Sequence, residues 1–510
     1  MFARINSMGL FGMDSYLVGV EVDFGQGGLP RTEVVGLPDT AVSESKNRVR
    51  AAIKNSGFSF PQSRVTINLS PADIRKEGPI YDLPILIAVL KAGFQLTANT
   101  DDCAFIGELS LDGLVRHVNG ALPMVIRARE EGIKNVFVPE SNALESSVVR
   151  GINVYAVKNV NEVVMHLKGE QILEPVEYSE GDELRNRPPM PDFRDVMGQQ
   201  EARYALEIAA AGGHNILMVG PPGSGKSMLA KRLPSILPDM TFEESLKTTE
   251  LYSISGNLPE GVSLIRERPF RSPHHTVSPA GLSGGGAIPR PGEISLAHNG
   301  VLFLDELPEF SRQAMEVLRQ PIEDDKITIS RANASITYPC SAMIVCAMNP
   351  CPCGYFGHPK RQCTCPEGAA KRYLAKISGP MLDRIDIHIE VPPVDFEKLS
   401  SKVAGECSAD IRKRVNAARK IQQERLAGTG ISCNAKMDSA LTKKYCVPSP
   451  KALIMLEQVF EKLDLSARAY DKVLRVARTV ADLDGSETIE AAHIAQAVQF
   501  RSLDRKYRRL

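Results

Sequence analysis

The chain has 510 residues, which at about 150 residues per domain predicts three or four packed units. Hydrophobic residues make up 43% and charged residues 24%, which excludes a disordered or fibrous chain, and no apolar run approaches the ~20 residues that span a bilayer. The net charge of zero divides unevenly: residues 1–190 hold 19 basic and 24 acidic side chains (−5), residues 191–400 hold 21 and 24 (−3), and residues 401–510 hold 21 and 13 (+8). We expect a cytoplasmic protein without a membrane segment, whose basic C-terminal part is the first place to look for a polyanion.

Short β-like runs alternate with helical stretches in residues 1–173, which predicts an α/β or α+β domain. Three longer runs resemble the proteolytic domain of Lon, whose fold belongs to a ribosomal-protein-like superfamily: Lys76–Pro79, Ile106–Gly113 and Ala128–Pro139. The chemistry of that protease needs a serine nucleophile directly after Gly-Pro and a lysine base further along. Ile80 and Leu122 stand at those positions, and neither has a nucleophilic or basic atom. The resemblance therefore implies a Lon-protease-like domain without peptidase activity.

The rest of the chain divides by texture. A polar, proline-rich stretch at residues 174–192 lacks apolar periodicity, which predicts a linker. Residues 193–395 alternate strand-like runs, loops and helices, and residues 396–510 are mostly helical. The first helix of this last part is predicted to bury four apolar residues at helical spacing: Ile411, Val415, Ala418 and Ile421.

A glycine-rich loop follows a buried strand-like run at Asn215–Val219. Its sequence, Gly220–Ser227, satisfies G-x-x-x-x-G-K-[ST], in which backbone N–H groups surround phosphates, Lys226 meets the β and γ oxygens, and the Ser227 hydroxyl binds Mg²⁺. A chance match in a turn is the alternative, but the strand before the loop and the helix after it argue against chance. We expect ATP and Mg²⁺ here, with ATP contacted by Gly220, Pro221, Pro222, Gly223, Ser224, Gly225, Lys226, Ser227 and Met228.

Two further strand-like runs end in polar residues. Val301–Leu304 is followed by Asp305 and Glu306. In a P-loop protein such an aspartate orients the Mg²⁺ shell and the following glutamate polarises the attacking water, although a surface pair of carboxylates is the alternative. Met343–Met348 is followed by Asn349, whose amide is suited to position water or sense the γ-phosphate, or is an ordinary turn residue.

Two segments interrupt this pattern. Residues 271–290 contain a glycine run, which lacks the Lys-Ser/Thr ending of a second P-loop. In Lys326–Tyr338, isoleucines alternate with hydroxyl-bearing residues, which predicts a β-hairpin. Lys326 and Arg331 of this hairpin are either contacts for a nucleic-acid backbone or ordinary surface charges near a turn.

Four of the ten cysteines fall close together in the loop at residues 350–366: Cys351, Cys353, Cys363 and Cys365. Four thiolates in a short loop can form a tetrahedral Zn²⁺ site. The tight C-x-C spacing argues against such a site, His358 is a substitute ligand, and four reduced thiols in a Gly/Pro-rich loop are the alternative. A metal here would stiffen a loop that contacts DNA or a neighbouring subunit.

Several long runs resemble the AAA+ ATPases and, within them, the magnesium-chelatase-like branch: Arg268–Thr276, Gly292–Gly300, Leu382–Asp386 and Ser466–Arg475. By this resemblance Asn349 is the sensor-1 residue. The predicted fold is therefore α/β, with an AAA+ P-loop core and a helical lid, preceded by the Lon-protease-like α+β domain.

The resemblance also assigns arginines. Arg384 is the arginine finger that reaches the ATP of the neighbouring subunit, and Arg468 is the sensor-2 arginine, with Arg475 as the competing choice. From the residues alone, Arg384 is equally able to form a salt bridge with Asp383 or Asp386. An arginine supplied between subunits ties hydrolysis to assembly, which implies a ring, and the family implies a hexamer.

An inactive Lon-like domain, a chelatase-type AAA+ core and a four-cysteine loop together resemble the YifB/ComM family. The resemblance implies an ATP-dependent helicase that promotes branch migration when incoming DNA recombines during natural transformation, with branched, single-stranded or double-stranded DNA as its partner. The alternatives are a magnesium-chelatase-type motor subunit and an ATP-dependent protease regulator without peptidase activity. The extra N-terminal domain and the cysteine loop argue against the first, and Ile80 and Leu122 argue against peptidase activity in the second.

Overall fold

The computed structural model describes residues 1–25, 30–179, 190–286, 289–331, 334–393, 405–463 and 466–501. The chain forms two compact units. The first comprises Met1–Arg187 with Phe242–Ile265, and the second comprises Pro188–Thr241 with Arg266–Leu510. Within the described residues, no helix is long and apolar enough to cross a membrane.

The strands are β1 (Phe2–Phe11), β2 (Asp14–Phe24), β3 (Thr32–Val35), β4 (Val65–Ser70), β5 (Cys103–Phe105), β6 (Glu108–Leu109), β7 (Val115–Arg116), β8 (Asn135–Pro139), β9 (Asn153–Val157), β10 (Ile216–Val219), β11 (Phe270–Arg271), β12 (Gly284–Gly285), β13 (Arg290–Pro291), β14 (Val301–Leu304), β15 (Lys326–Arg331), β16 (Ala334–Pro339), β17 (Met343–Met348) and β18 (Ile387–Glu390). The α-helices are α1 (Thr40–Asn55), α2 (Asp82–Ala92), α3 (Ala121–Glu130), α4 (Glu140–Ser147), α5 (Val160–Lys168), α6 (Gln200–Gly212), α7 (Lys226–Arg232), α8 (Phe242–Ser255), α9 (Pro279–Ser283), α10 (Glu293–Leu296), α11 (Arg312–Val317), α12 (Arg319–Asp324), α13 (Ala369–Leu374), α14 (Gly379–Leu382), α15 (Ser408–Arg425), α16 (Ser439–Tyr445), α17 (Pro450–Leu463), α18 (Ala467–Leu483) and α19 (Ala491–Gln499). Short 3₁₀ helices lie at Pro79–Tyr81, Phe193–Asp195, Leu233–Ile236, Leu307–Glu309 and Asn434–Lys436.

The first unit is built on a seven-stranded mixed sheet in the order β3-β4-β2-β1-β5-β8-β9. β1 and β2 form a long antiparallel hairpin, and β5, β8 and β9 add in parallel. Alternate residues of β2, Val18, Val20 and Val22, are fully buried, as expected for a strand packed on a core. The predicted α+β class of this part of the chain agrees with this arrangement.

Helix α8 belongs to the first unit although it follows the P-loop in sequence. Leu246 packs against the core of that unit, and the backbone N–H of Gly120 donates to the carbonyl oxygen of Ser253 at 3.0 Å. The predicted ATPase domain, residues 193–395, therefore differs from the structure, because Phe242–Ile265 leaves it to complete the other unit. An apolar helix face must be buried, but its sequence does not identify the partner that buries it.

The second unit contains a five-stranded, wholly parallel sheet in the order β11-β14-β17-β10-β18. Parallel strands place all their carboxyl ends at one edge and all their amino ends at the other. The core of this unit joins residues of the sheet, such as Val345, to residues of the C-terminal helices, such as Val473. The predicted lid, residues 396–510, is thus part of the same compact unit, and its residues 396–404, 464–465 and 502–510 lie outside the described ranges.

Most of the predicted linker, residues 174–192, lies outside the described residues, which exclude 180–189. Both of its ends are packed. The N–H of Val176 donates to the carbonyl oxygen of Val154 at 2.8 Å, and the carboxylate of Asp192 accepts from the N–H of Ser408 at 3.0 Å.

The buried face of α15 differs from its prediction at one position. Ile411, Val415 and Ala418 are buried as expected, but Ile421 is 36% exposed and Gln422 is fully buried in its place. A period of 3.6 residues carries this face from 418 to 422. Gln422 is satisfied there, since its Nε2 donates to the carbonyl oxygen of Ala211 at 3.1 Å.

Candidate nucleotide-binding site

The loop after β10 turns sharply before α7 begins at Lys226. Gly223 and Gly225 have φ angles of 75° and 90°, which glycine adopts without strain. Lys226 folds back across the loop, and its Nζ donates to the carbonyl oxygens of Gly220 (2.7 Å) and Pro221 (3.0 Å). The ammonium group therefore lies where a phosphate chain would be bound by the loop.

Asp305 lies next to the P-loop at the end of β14. Its Oδ2 accepts a hydrogen bond from the Ser227 hydroxyl at 2.7 Å, and its Oδ1 accepts from the N–H of Glu306 at 2.9 Å. A hydroxyl and a carboxylate at this distance are oxygen ligands that suit Mg²⁺. Burial lowers the pKa of Lys226, while Asp305 and Glu306 raise it in part, so the carboxylates support the charged ammonium.

Asn349 follows β17, the strand between β14 and β10, and completes this edge. Its Oδ1 lies 3.3 Å from the Nζ of Lys226. The structure thus brings Lys226, Ser227, Asp305 and Asn349 together at the carboxyl ends of three parallel strands.

Glu306 contacts a residue to which the sequence assigned no role. The Oε2 of Glu306 lies 3.4 Å from Nδ1 of His275, and its own backbone has a φ of 52°, which is strained for a non-glycine residue. The ring of His275 is 4.0 Å from that of His274. The signal for this contact in the sequence is the pair of adjacent histidines within the run Arg268–Thr276.

The two assigned arginines lie at the opposite edge of the sheet. Arg384 and Arg468 line a cavity of about 640 Å³, together with Asn215 before β10 and Ser341 before β17. The four residues of β10 separate this amino edge from the P-loop by ~13 Å. Neither arginine is therefore beside the P-loop of its own chain.

The contacts of the arginines at this cavity bear on two open questions: the ion-pair partner of Arg384, and the choice between Arg468 and Arg475. Arg384 forms an ion pair with Glu323, not with Asp383 or Asp386, and its Nη1 donates to the carbonyl oxygen of Pro380 at 2.6 Å. Arg475 donates to the carbonyl oxygens of two residues near 3₁₀ helix Asn434–Lys436, at 2.9 and 2.8 Å. Arg468 is exposed at the cavity.

A buried charge network forms the floor of the same cavity. Asp386 lies 2.8 Å from the Nζ of Lys472 and 3.5 Å from Nδ1 of His214. Burial alone raises the pKa of Asp386, but Lys472 and His214 lower it more, so that it lies well below its usual value. Asp386 is thus charged, and its buried charge depends on Lys472.

The four cysteines of loop 350–366 converge as predicted. All four sulfur atoms lie within 4.8 Å of one another, and His358 is not among the clustered ligands. The Sγ of Cys351 is 3.4 Å from that of Cys353 and 3.7 Å from that of Cys363. These distances are far longer than the ~2.05 Å of a disulfide and close to the ~3.8 Å edge of a tetrahedron of thiolates around Zn²⁺.

Backbone N–H groups also point at these sulfurs. The N–H of Phe356 donates to Sγ of Cys351 at 3.3 Å, and the N–H of Cys353 donates to Sγ of Cys365 at 3.4 Å. A backbone hydrogen bond lowers the pKa of Cys363 and that of Cys365, but burial and the neighbouring thiols outweigh it, so that both pKa values are raised. At Cys353, hydrogen bonds, of which that from the Tyr355 N–H is the largest cause, lower the pKa to about 5. Such hydrogen bonds stabilise the thiolate, which is the form that binds a metal.

The predicted hairpin is confirmed as β15 and β16. Residues 332–333, which connect the two strands, lie outside the described ranges. One face, including Ile329 and Tyr338, is buried. The other carries two cross-strand hydroxyl pairs, Thr328 with Thr337 at 3.0 Å and Ser330 with Ser335 at 3.2 Å. Lys326 and Arg331 are exposed on this hairpin.

The basic side of α15 is largely engaged within the unit. Arg414 donates to Glu207 at 2.6 Å, and Arg412 forms an ion pair with Asp239. Arg419 donates to two backbone carbonyl oxygens of α6, at 3.1 and 2.9 Å. The positive charge of residues 401–510 therefore balances acidic groups of the same unit in part, and does not by itself mark a DNA surface.

In the first unit, Ile80 and Leu122 are buried, at 9% and 0% exposure. Nearby, Lys76 is also buried, and its Nζ donates to the carbonyl oxygen of Ile74 at 2.7 Å. The two side chains at the Lon-like positions are thus buried aliphatic groups, with no nucleophilic or basic atom.

Comparisons with known proteins agree with this description. The family model for magnesium chelatase, subunit ChlI, matches residues 192–399, that for subunit ChlI of Mg-chelatase matches residues 20–142, and that for the ChlI C-terminal region matches residues 405–501. Lon protease 2 of Bacillus subtilis is 28% identical over 171 residues, which are 32% of this chain and 31% of that protein.

Two relatives are similar over nearly their whole length. The protein YifB of Escherichia coli is 43% identical over 98% of this chain and 97% of its own. The competence protein ComM of Haemophilus influenzae is 42% identical over 100% of this chain and 99% of its own. With a P-loop, a five-stranded parallel sheet and full-length similarity of this degree, the chain belongs to the YifB/ComM family of magnesium-chelatase-like AAA+ ATPases.

Proposed function

We propose that this ATPase is a DNA motor that works as a hexameric ring and promotes branch migration when incoming DNA recombines during natural transformation. The separation of Arg384 and Arg468 from the P-loop of their own chain is the observation that carries the proposal. An arginine that acts on ATP from the amino edge of the sheet must act on the ATP of another subunit. Hydrolysis would then require a ring.

Nucleotide binding is assigned to the carboxyl edge. Lys226 and the backbone of the P-loop hold the phosphates, while Ser227 and Asp305 supply oxygen ligands for Mg²⁺, which neutralises phosphate charge when bound. Asn349 orients the γ-phosphate through its position beside Lys226. Glu306 orients the attacking water once it is released from His275.

A second metal is assigned to the cysteine loop. The spacing of the four sulfurs fits Zn²⁺, and thiolates are soft ligands that favour it over Mg²⁺. The sulfur cluster shares no residue with the oxygen ligands Ser227 and Asp305, so the two metals have separate sites and separate roles.

Contact with DNA is assigned to the β15–β16 hairpin. Its exposed face combines hydroxyl groups with Lys326, and the exposed Arg331 follows at the end of β15 on the other face. These donors are suited to phosphate oxygens and indifferent to base sequence. The similarity to a competence protein supports DNA as the partner. Asp325 and Ser341, which lie at the base of the hairpin, line the same cavity as Arg384. The hairpin therefore begins and ends beside the cavity that contains this arginine.

The test is movement of a branch. Purified full-length protein is mixed with a fluorescently labelled three-strand DNA and with a fork, with ATP and Mg²⁺, and the released strand is followed by gel and by fluorescence. We expect strand exchange with ATP, none with a non-hydrolysable analogue, and faster ATP hydrolysis with DNA. Hydrolysis that ignores DNA, together with no branch movement, would contradict the motor and favour a chelatase-type role.

A further inference from the structure

The cysteine loop lies against the P-loop. Gly354 has a φ of 83°, and a Cβ atom at this position would lie 2.4 Å from Cδ and 2.7 Å from Cγ of Pro222. Real Cβ atoms do not approach other atoms so closely, so only a glycine lets the two loops touch here. Pro222 is one of the residues that surround the phosphates in the P-loop assignment.

A small cavity continues this contact. It measures about 160 Å³ and is lined by Gly220 and Pro221 of the P-loop, by Gly354 and Phe356 of the cysteine loop, and by Val391 after β18. The cysteine loop is therefore one wall of the space beside the P-loop. Its first cysteine, Cys351, comes two residues after Asn349, whose side chain contacts Lys226.

No helix or strand holds the shape of the cysteine loop. Residues 349–368 form neither helix nor strand, and loops of this length without secondary structure are uncommon in compact domains. The turn that presents Gly354 is closed by the hydrogen bond from its N–H to the carbonyl oxygen of Cys351 at 2.9 Å. The same Cys351, fully buried, is a member of the four-sulfur cluster.

We infer that the four-cysteine loop is a metal-dependent brace for the P-loop, in which Zn²⁺ bound by Cys351, Cys353, Cys363 and Cys365 holds Gly354 against Pro222 and thereby maintains ATP affinity. Loss of the metal by chelation releases this wall and weakens ATP binding in the same chain. The inference rests on the proposed nucleotide site, but it does not depend on DNA or on ring assembly.

Substitutions at two glycines distinguish loss of the contact with Pro222 from general damage to the cysteine loop. Gly354 and Gly357 both have positive φ, 83° and 75°, so alanine is strained equally at both. A Cβ at Gly357 would meet no atom within 4 Å, whereas one at Gly354 would collide with Pro222. We expect Gly354→Ala to keep its zinc and to bind a fluorescent ATP analogue at least 10-fold more weakly, and Gly357→Ala to keep both zinc and wild-type affinity.

The metal itself is tested on the full-length chain. Zinc is measured by elemental analysis and by release to a chromogenic chelator upon thiol blocking, and ATP affinity is measured in parallel, with Zn²⁺ added back. We expect about one zinc per chain, a Kd for ATP that rises at least 10-fold as zinc leaves, and recovery with Zn²⁺ after chelation. Cys363→Ser is expected to lose zinc and ATP affinity together, whereas Cys446→Ser, a buried cysteine outside the cluster, keeps both.

The outcomes are distinct. If wild-type protein binds no ATP, the nucleotide assignment fails. If it binds ATP with the same affinity with and without zinc, or if Gly354→Ala and Gly357→Ala bind ATP equally, the brace is refuted while the nucleotide site stands. The glycine pair decides the matter even if Cys363→Ser does not fold.

Discussion

Both edges of the five-stranded parallel sheet carry charged side chains, but the surroundings of these side chains differ. At the carboxyl edge, Ser227 contacts Asp305 at 2.7 Å, and Lys226 contacts Asn349 at 3.3 Å. At the amino edge, Arg384 and Arg468 line an open cavity of about 640 Å³. The first is a set of groups that a single chain completes. The second lies away from the P-loop of its own chain, which is why we propose that its arginines act on the ATP of a neighbour.

The largest effect is expected at the carboxyl edge. Lys226→Ala should reduce ATP hydrolysis to below about 1% of wild type, because it removes the ammonium group that meets the β and γ phosphates. Hydrolysis is measured by phosphate release with and without DNA. Lys231→Ala, an exposed lysine of the same helix, is the control and should hydrolyse ATP at the wild-type rate. Retained hydrolysis in Lys226→Ala would sink the P-loop assignment.

At the amino edge, Arg384→Ala should lower hydrolysis by about 10³-fold while changing the Kd for ATP by less than about 3-fold. The reason is that the arginine stabilises charge on a transferring phosphoryl group held by another subunit. Mixing Arg384→Ala with Lys226→Ala should restore part of the activity, since mixed rings contain interfaces with an intact P-loop and an intact arginine.

The control is Arg372→Ala, an exposed arginine of α13. If Arg384→Ala weakens ATP binding as much as hydrolysis, or if mixed subunits regain nothing, the arginine does not act between chains and the two edges do not complement each other.

The carboxyl edge was accessible from sequence because each of its parts is local. A buried run followed by a polar residue marks the end of a parallel strand, and such ends meet at one edge. The pattern at Val219, Leu304 and Met348 was therefore sufficient to predict which side chains converge. Alternation likewise predicted the β15–β16 hairpin.

The amino edge was not accessible in the same way. Its charges come from distant parts of the chain: Arg384 pairs with Glu323, and Asp386 pairs with Lys472, 86 positions further along. Local periodicity contains no information on such partners. The same limit hid the packing of α8 in the first unit and the contact of His275 with Glu306.

The buried pair at the amino edge predicts a stability effect. Lys472→Met should lower the free energy of unfolding by about 3–5 kcal/mol at pH 7, because Asp386 remains buried without its cation. In the wild type the pKa of Asp386 is depressed, so its stabilising charge is present above about pH 4 and lost as the pH falls through the depressed value. Without Lys472 the pKa of Asp386 rises, so in the variant this carboxylate takes up a proton at a higher pH than in the wild type. The difference in unfolding free energy between variant and wild type should therefore shrink as the pH is lowered.

Unfolding is followed by circular dichroism in urea at pH 7 and pH 5, with Lys443→Met, an exposed lysine of α16, as control. A deficit that does not change with pH would indicate that Lys472 acts through packing alone. A variant as stable as the control would remove the buried pair from the support of the cavity.

The smallest effect is expected at the hairpin whose base borders the amino-edge cavity. Lys326→Ala should weaken DNA binding a few-fold and lower the slope of log affinity against log salt by about one, because one phosphate contact is lost. Fluorescence anisotropy over a series of salt concentrations measures both. Lys420→Ala is the matched comparison, since Lys420 is exposed on α15 in the basic C-terminal part. If only Lys420→Ala changes the slope, DNA lies on the C-terminal helices, and the amino edge serves the neighbouring ATP alone.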